Sequence, residues 1–126
     1  MTAKINMIQS TLKLDESFSL KLQRLLYEKN ISAADCYKRA CMDRRLFSKI
    51  CSNKSYRPSK NTALALAIAL RLNMSETQCF LASAGYTLSR SVLSDVIVEY
   101  FISRGIYDIF EINEALYAYD QALLGQ

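Results

Sequence analysis

The residues from Lys38 to Lys60 combine side chains that could bind a polyanion. This stretch of 23 residues contains eight Lys or Arg and a single acidic residue, Asp43. An arginine can donate two hydrogen bonds to the edge of a guanine base, and lysines neutralise phosphates. Any one of these side chains is adequately explained as part of a solvated surface, but the cluster as a whole is not. The pattern therefore indicates a nucleic-acid-binding surface.

The residue types that catalysis and metal binding need are missing or badly spaced. The sequence has no His, so it offers no Ser–His or Cys–His pair and no ordinary general base near neutral pH. Its four cysteines contain no C-x-x-C pair, which favours reduced thiols over a zinc site. The three glycines lie too far apart for a phosphate-binding loop. We therefore predict no enzymatic activity, no cofactor and no metal.

Composition and charge distribution indicate a folded protein without a membrane segment. Hydrophobic residues make up 51% of the 126 residues, but the longest apolar run, ALALAIAL, is far shorter than the roughly 20 residues of a membrane helix. The N-terminus does not have the pattern of a signal peptide, which predicts a cytoplasmic location. Residues 1–73 carry 14 basic and 5 acidic side chains, whereas residues 74–126 carry 2 and 7. This asymmetry suggests that only the first half meets a polyanion.

Helices must position the basic residues, because every convincing apolar pattern has helical spacing. Residues 1–14 are expected to be loosely ordered, and residues 15–126 to form a single all-α domain. Ser75 and Gln78 are predicted to form the capping box of the fifth helix. The predicted helices span about Asp15–Lys29, Ser32–Ala40, Asp43–Cys51, Ser59–Leu72, Ser75 to just before Gly85, Ser91–Arg104, and Asp108 to Leu123 or Leu124.

Two short helices joined by a turn at Cys41–Met42, with the segment RPSKNTALALAIALRLNMSE after them, resemble the phage-repressor-like helix-turn-helix family. The resemblance covers about Phe18–Ala84. It implies a repressor-like five-helix core at residues 15–88, with a two-helix C-terminal extension at residues 89–126. It also implies a sequence-specific DNA-binding protein, a small transcriptional regulator of bacterial or phage origin.

In this family the third helix enters the major groove of double-stranded DNA. The resemblance places Arg44 and Arg45 at base edges, because they occupy the first turn of that helix. It gives the remaining cations of the run the role of phosphate contacts. These are Lys38, Arg39, Lys49, Lys54, Arg57 and Lys60.

Several positions keep other functions open. Tyr37 stands where the family has Ala at the helix crossing, which predicts a wider interhelical angle or a ring turned outward. Cys41 replaces the turn Gly, and Ala33 replaces a Gln that grips a phosphate. These departures leave open a scaffold reused as a protein-interaction module, such as an inhibitor or adaptor. Tyr56 leaves open RNA or single strands, because an exposed ring among cations can stack on a base.

The last predicted helix carries an apolar seam with spacings of 3, 4, 3 and 4. Two roles fit this seam: it can cover the core of its own chain, or it can form a homodimer interface. Its members are Ile109, Ile112, Leu116, Tyr119 and Leu123.

Overall fold

The structure of the chain, a computed structural model, describes residues 2–11 and 15–125. Every regular element in these ranges is an α-helix, which confirms the predicted all-α class. No helix in this part of the chain is long and apolar enough to cross a membrane. The helices are α1 (Thr2–Thr11), α2 (Phe18–Glu28), α3 (Ala33–Arg39), α4 (Arg44–Ser52), α5 (Lys60–Ala69), α6 (Met74–Ala82), α7 (Leu93–Ser103) and α8 (Ile109–Ala118).

Polar side chains fix the starts of most helices. Ser32 accepts a hydrogen bond from the backbone N–H of Asp35 at 3.0 Å, and Asp43 accepts one from Arg45 at 3.0 Å. Both residues have extended backbone angles, as an N-cap requires. Both residues are the ones at which the sequence pattern predicts these helices to begin. They set the first residue of α4 at Arg44.

The capping box of α6 differs from the prediction. Asn73 and Glu76 form it, because the Asn73 side chain accepts from the Glu76 N–H at 2.8 Å and Glu76 accepts from the Asn73 N–H at 3.0 Å. The box predicted at Ser75 and Gln78 is therefore wrong. Gln78 instead accepts a hydrogen bond from the backbone N–H of Leu88, at 3.2 Å, in the loop after α6.

Six helices end in the same way, with a residue in the left-handed backbone conformation. The N–H of that residue and the N–H of the next one both bond back to carbonyls of the last turn, as in a Schellman motif. Glycine occupies this position in only two of the six. The residues, after α2, α3, α5, α6, α7 and α8 in turn, are Asn30, Cys41, Arg71, Gly85, Gly105 and Asp120.

Helix α5 lies at the centre of the molecule and contacts α3, α6 and α8. All eight residues from Ala63 to Leu70 are buried, which is why this segment is apolar on every side. Phe18 of α2 and Phe80 of α6 add an aromatic contact with ring centroids 4.4 Å apart. The core thus forms around a helix with no solvent-facing side.

The seam of α8 is part of this core. Ile109, Ile112 and Leu116 are buried within the chain and Leu123 is half-buried, whereas Tyr119 is exposed. The seam therefore covers α5, and its three buried members are not available to a second copy. Of the residues named for a possible dimer interface, only Tyr119 and the half-buried Leu123 reach the surface. Helix α8 also ends at Ala118, several residues before the predicted end, because Asp120 takes a positive φ.

Helix α1 was not anticipated by the sequence pattern. It covers Thr2–Thr11, within the segment that the sequence left without a regular element. Residues 1 and 12–14, and with them the rest of the predicted loosely ordered segment, lie outside the described residues.

Candidate nucleic-acid interface

Helix α4 divides sharply into a buried and an exposed side. Phe47 and Ile50 are buried in the core, and Leu46 and Cys51 are half-buried. The opposite side is polar and largely cationic. Its exposed residues are Arg44, Arg45, Ser48, Lys49 and Ser52.

The turn between α3 and α4 determines where the two arginines lie. Cys41 has φ of +51°, and the N–H groups of Cys41 and Met42 bond to the carbonyls of Lys38 and Tyr37 at 3.1 and 2.9 Å. Asp43 then caps α4. As a result, Arg44 and Arg45 occupy the first turn of α4, directly after the capping carboxylate of Asp43.

Most side chains of the cationic run have no internal bond. Within residues 2–11 and 15–125, the side chains of Lys38, Arg39, Arg44, Arg45 and Lys54 make no ion pair and no hydrogen bond. Lys49 makes only a cation–π contact, with its ammonium 5.6 Å from the ring centroid of Tyr56. All six side chains are exposed. They are called the free cations below.

Arg57 and Lys60 are different, although the sequence placed them among the phosphate contacts. The Nε of Arg57 donates to the carbonyl of Ala84 at 2.7 Å, and its guanidinium lies 4.8 Å from the ring centroid of Tyr86. The Nζ of Lys60 lies 2.6 Å from Oδ2 of Asp95, whose side chain is buried. Both cations are already bonded to the second half of the chain. These bonds give both cations an internal, structural role, and the phosphate contacts predicted for them stay a prediction.

Tyr56 lies in the loop before α5, and its ring is half-buried against the core. The loop is held by Tyr86, whose hydroxyl donates to the carbonyl of the buried Pro58 at 2.8 Å. One side of the Tyr56 ring is thus occupied by its own chain. This arrangement favours a packing role over base stacking.

Tyr37 and Ala33, the other departures from the family pattern, lie on α3. The Tyr37 ring is half-buried and packs on Phe47 of α4, with ring centroids 5.8 Å apart and planes inclined by 52°. Ala33 is the first residue of α3 and is exposed. The tyrosine therefore forms part of the contact between the two helices.

Two residues that sequence reasoning missed hold the C-terminal end of α4. Ser19 and Gln23 of α2 both donate to the carbonyl of Cys51, at 3.0 and 2.7 Å. Ser19 is completely buried. A serine within the apolar stripe of α2 was the available signal, since a buried hydroxyl needs a partner. Its partner, a carbonyl 32 positions later in the chain, could not be read from the sequence.

Cys36 and Cys51, which lie near α4, are not activated thiols. Burial raises the pKa of Cys36 to about 12, and burial also raises the pKa of Cys51. A raised pKa removes the thiolate that a nucleophile or a metal ligand requires. No group of three or more His, Cys, Asp or Glu in the described ranges is placed to hold a metal ion.

Comparison of this chain with protein-family models, with curated proteins and with solved structures finds no match. Any functional conclusion therefore rests on the arrangement of α3, α4 and the six free cations.

Proposed function

We propose that this chain binds double-stranded DNA, with α4 lying in the major groove. The observation that carries the proposal is the set of six free cations on α4 and beside it. A folded chain gains stability when a charge is paired or hydrogen-bonded, as Arg57 and Lys60 are. Six exposed cations with no such bond remain available to an external polyanion.

The arrangement fits the docking of a helix-turn-helix domain. Such a domain presents the N-terminal residues of its second helix to base edges while neighbouring cations contact the backbone. Arg44 and Arg45 are in the first turn of α4, and Lys49 lies one turn later. In this reading the two arginines select the sequence, and the other four cations position the protein. The biological role that follows is that of a small transcriptional regulator.

Selection from a pool of random DNA duplexes tests the proposal, followed by fluorescence anisotropy with the enriched duplex over a salt series. We expect the wild-type chain to enrich one sequence, and log K to fall steeply with log salt because phosphate counterions are released. The double variant Arg44→Ala, Arg45→Ala should lose discrimination, by about 1–3 kcal/mol for each good base contact.

Arg90→Ala provides the matched control, because it removes one exposed cation from the second half of the chain. Its side chain pairs with Glu99 rather than standing free. The control should bind the enriched duplex as the wild type does. If no sequence is enriched, and affinity at about 150 mM salt equals that of an unrelated basic protein, the proposal is wrong.

A second candidate function is a protein-interaction module, and the surface of α7 and α8 favours it. A groove of about 350 Å³ there is lined mainly by apolar side chains, including Leu93, Val96, Tyr100 and Tyr119. Phe110 and Tyr117 of α8 are exposed as well. Since exposed Glu111 and Glu114 lie on the same helix, the partner of suitable chemistry is an apolar helix flanked by Lys or Arg.

Salt dependence separates the two candidates. Binding of an apolar helix should depend only weakly on salt, and it should be abolished by Tyr100→Glu but not by the Arg44 and Arg45 substitutions. DNA binding should show the opposite dependence on the two sets of substitutions.

A further inference from the structure

The segment after α8 runs back to the turn between α3 and α4. This segment, residues 121–125, is called the tail below. Leu124 is 2% exposed, so its side chain is inserted into the core. Gly125 then lies directly against the backbone of Ala40 and Cys41. The tail thereby joins the second half of the chain to the turn that orients α4.

Asn113 of α8 anchors the tail at Leu124. Its Nδ2 donates to the Leu124 carbonyl at 2.9 Å, and its Oδ1 accepts from the Leu124 N–H at 2.8 Å. The Asn113 amide therefore satisfies both the backbone N–H and the backbone C=O of Leu124, as a neighbouring β-strand would do. Asn61 of α5 adds a longer bond, 3.4 Å, to the carbonyl of Leu123. The tail is thus held in one register against α8 and α5.

Gly125 is the point of closest approach. A Cβ at this position would lie 2.5 Å from the carbonyl oxygen of Ala40 and 3.1 Å from the Cβ of Cys41. The first of these atoms is backbone, so the clash cannot be relieved by a side-chain rotation. Gly125 also has φ of +79°, a conformation that other residues adopt only with strain. Only glycine lets the tail sit this close to the turn.

The turn between α3 and α4 contains a residue in an unfavourable backbone conformation. Cys41 takes the left-handed conformation with a Cβ present, which costs free energy that a glycine would not cost. Two backbone hydrogen bonds close the turn, and Gly125 of the tail lies against Ala40 and Cys41. We propose that the tail fixes the α3–α4 turn, and that Asn113, Leu124 and Gly125 are positioning residues for α4. The consequence for DNA affinity rests on the proposed function, whereas the contact with the turn does not.

Cysteine labelling reports on the turn without any DNA. Cys41 is half-buried beside Gly125, Cys79 is exposed on α6, and Cys36 is buried. Labelling with a maleimide, resolved by peptide mass spectrometry, therefore measures the reactivity of each of these three cysteines separately. Cys79 serves as the reference for reagent activity, and Cys36 serves as the reference for global opening.

The test compares Gly125→Ala with Gly105→Ala. Both glycines have positive φ, but nothing lies within 4 Å of a Cβ added at Gly105. The two variants thus share the backbone strain and differ in the clash with the turn. We expect Cys41 in Gly125→Ala to react on the order of tenfold faster than in Gly105→Ala, which corresponds to about 1.4 kcal/mol of lost local protection. Labelling of Cys36 and Cys79 should be the same in both.

Asn113→Ala gives an independent version of the test, because it removes both tail bonds and introduces no clash. If Gly125→Ala does not fold, Asn113→Ala is used in its place. Equal Cys41 rates in variant and control would overturn the inference. A parallel rise at Cys36 would also overturn it, because the tail would then contribute only to general stability.

The DNA measurement distinguishes this inference from the proposed function. If the wild-type chain binds DNA, Gly125→Ala should bind the enriched duplex more weakly than Gly105→Ala does. Unchanged affinity together with faster Cys41 labelling would show that the tail holds the turn without positioning α4, and would overturn the inference. If the wild-type chain binds no specific DNA, the proposed function fails while the labelling result for the turn still stands.

Discussion

The cations of α4 and the cations at the start of α5 come from the same basic run, and their environments are opposite. Arg44 and Arg45 extend into solvent with no internal bond. Arg57 and Lys60 are bonded to the α6–α7 loop and to Asp95 of α7. The difference shows that a basic run in a sequence can mix exposed cations that have no internal bond with cations that are bonded within the fold.

Burial of the partner explains why Lys60 belongs to the structural group. Asp95 is 2% exposed, and an isolated carboxylate at that depth would be strongly destabilising. Its Oδ2 accepts both from Lys60 and from the backbone N–H of Ser89 at 2.9 Å. No comparable buried acid lies at α4, because Asp95 is the only buried acidic residue among those described.

The largest expected effect comes from Lys60→Met. The substitution keeps the apolar stem but leaves Asp95 buried and unpaired, so the free energy of unfolding should fall by about 3 kcal/mol. Denaturant titration measures this. Lys54→Met, the matched change at a free cation, should alter stability by less than about 0.5 kcal/mol. Equal stability of the two variants would show that bonded and free cations do not differ in their contribution to the fold.

For DNA binding, we expect the opposite: Lys54→Met should have the larger effect and Lys60→Met the smaller one. Lys54→Met should weaken binding to every sequence and reduce the salt slope by about one unit, because one phosphate contact is lost. Lys60→Met, measured where it is fully folded, should leave the slope unchanged. A reduced slope for Lys60→Met would place Lys60 among the binding cations.

A smaller effect is expected from Arg57→Ala. Its hydrogen bond to the Ala84 carbonyl and its contact with Tyr86 should together contribute about 1–2 kcal/mol to stability, since the guanidinium is partly in solvent. Thermal or denaturant unfolding measures the loss, with Arg44→Ala as the control. A double-mutant cycle with Tyr86→Leu isolates the ring contact. An Arg57→Ala variant as stable as the control would show that this bond is not structural.

The smallest effect concerns Lys29, another cation that is bonded within the chain. Its Nζ lies 3.2 Å from Glu76. The backbone N–H of Asn73, and after it Lys29, lower the pKa of Glu76 from its ordinary value of 4.5. A carboxylate with a depressed pKa stabilises the fold above its unfolded pKa and loses that contribution as pH falls through the folded pKa.

Stability should therefore decline below about pH 4.5, with about 0.5 kcal/mol of the decline due to Glu76. Urea titrations between pH 3 and 7 measure it. Glu76→Gln keeps the oxygen that accepts from Asn73 but removes the charge, so the difference between this variant and the wild type should vanish at low pH. A difference that stays constant over the whole range would show that Glu76 acts only as a hydrogen-bond acceptor.

Local features of the fold were predictable from the sequence, because their causes lie within a few residues. Ser32 and Asp43 cap their helices through bonds that span two or three positions. The left-handed residue at Cys41 was indicated by the place of a turn glycine in the resembling family. Where two nearby polar residues compete for the same role, as Asn73 and Ser75 do, local pattern does not decide between them.

Long-range bonds could not be predicted in the same way. Lys60 and Asp95 are 35 positions apart, and nothing in either local sequence indicates the other. The same holds for Gly125, which reads as an ordinary glycine until its contact with Ala40 is seen. The basic run itself was visible in the sequence, while its division into free and bonded cations needed the structure.

The contact between Gly125 and the α3–α4 turn also orders events during synthesis of the chain. The ribosome adds about 5–20 residues per second, so the residues of α3 and α4 precede the tail by several seconds. During that interval the turn can close its own hydrogen bonds, but the contact that covers Cys41 has not yet been made. A nascent chain thus passes through a stage in which α4 has formed before its final support. The stage ends only after residues 121–125 have been added to the chain and have reached the turn.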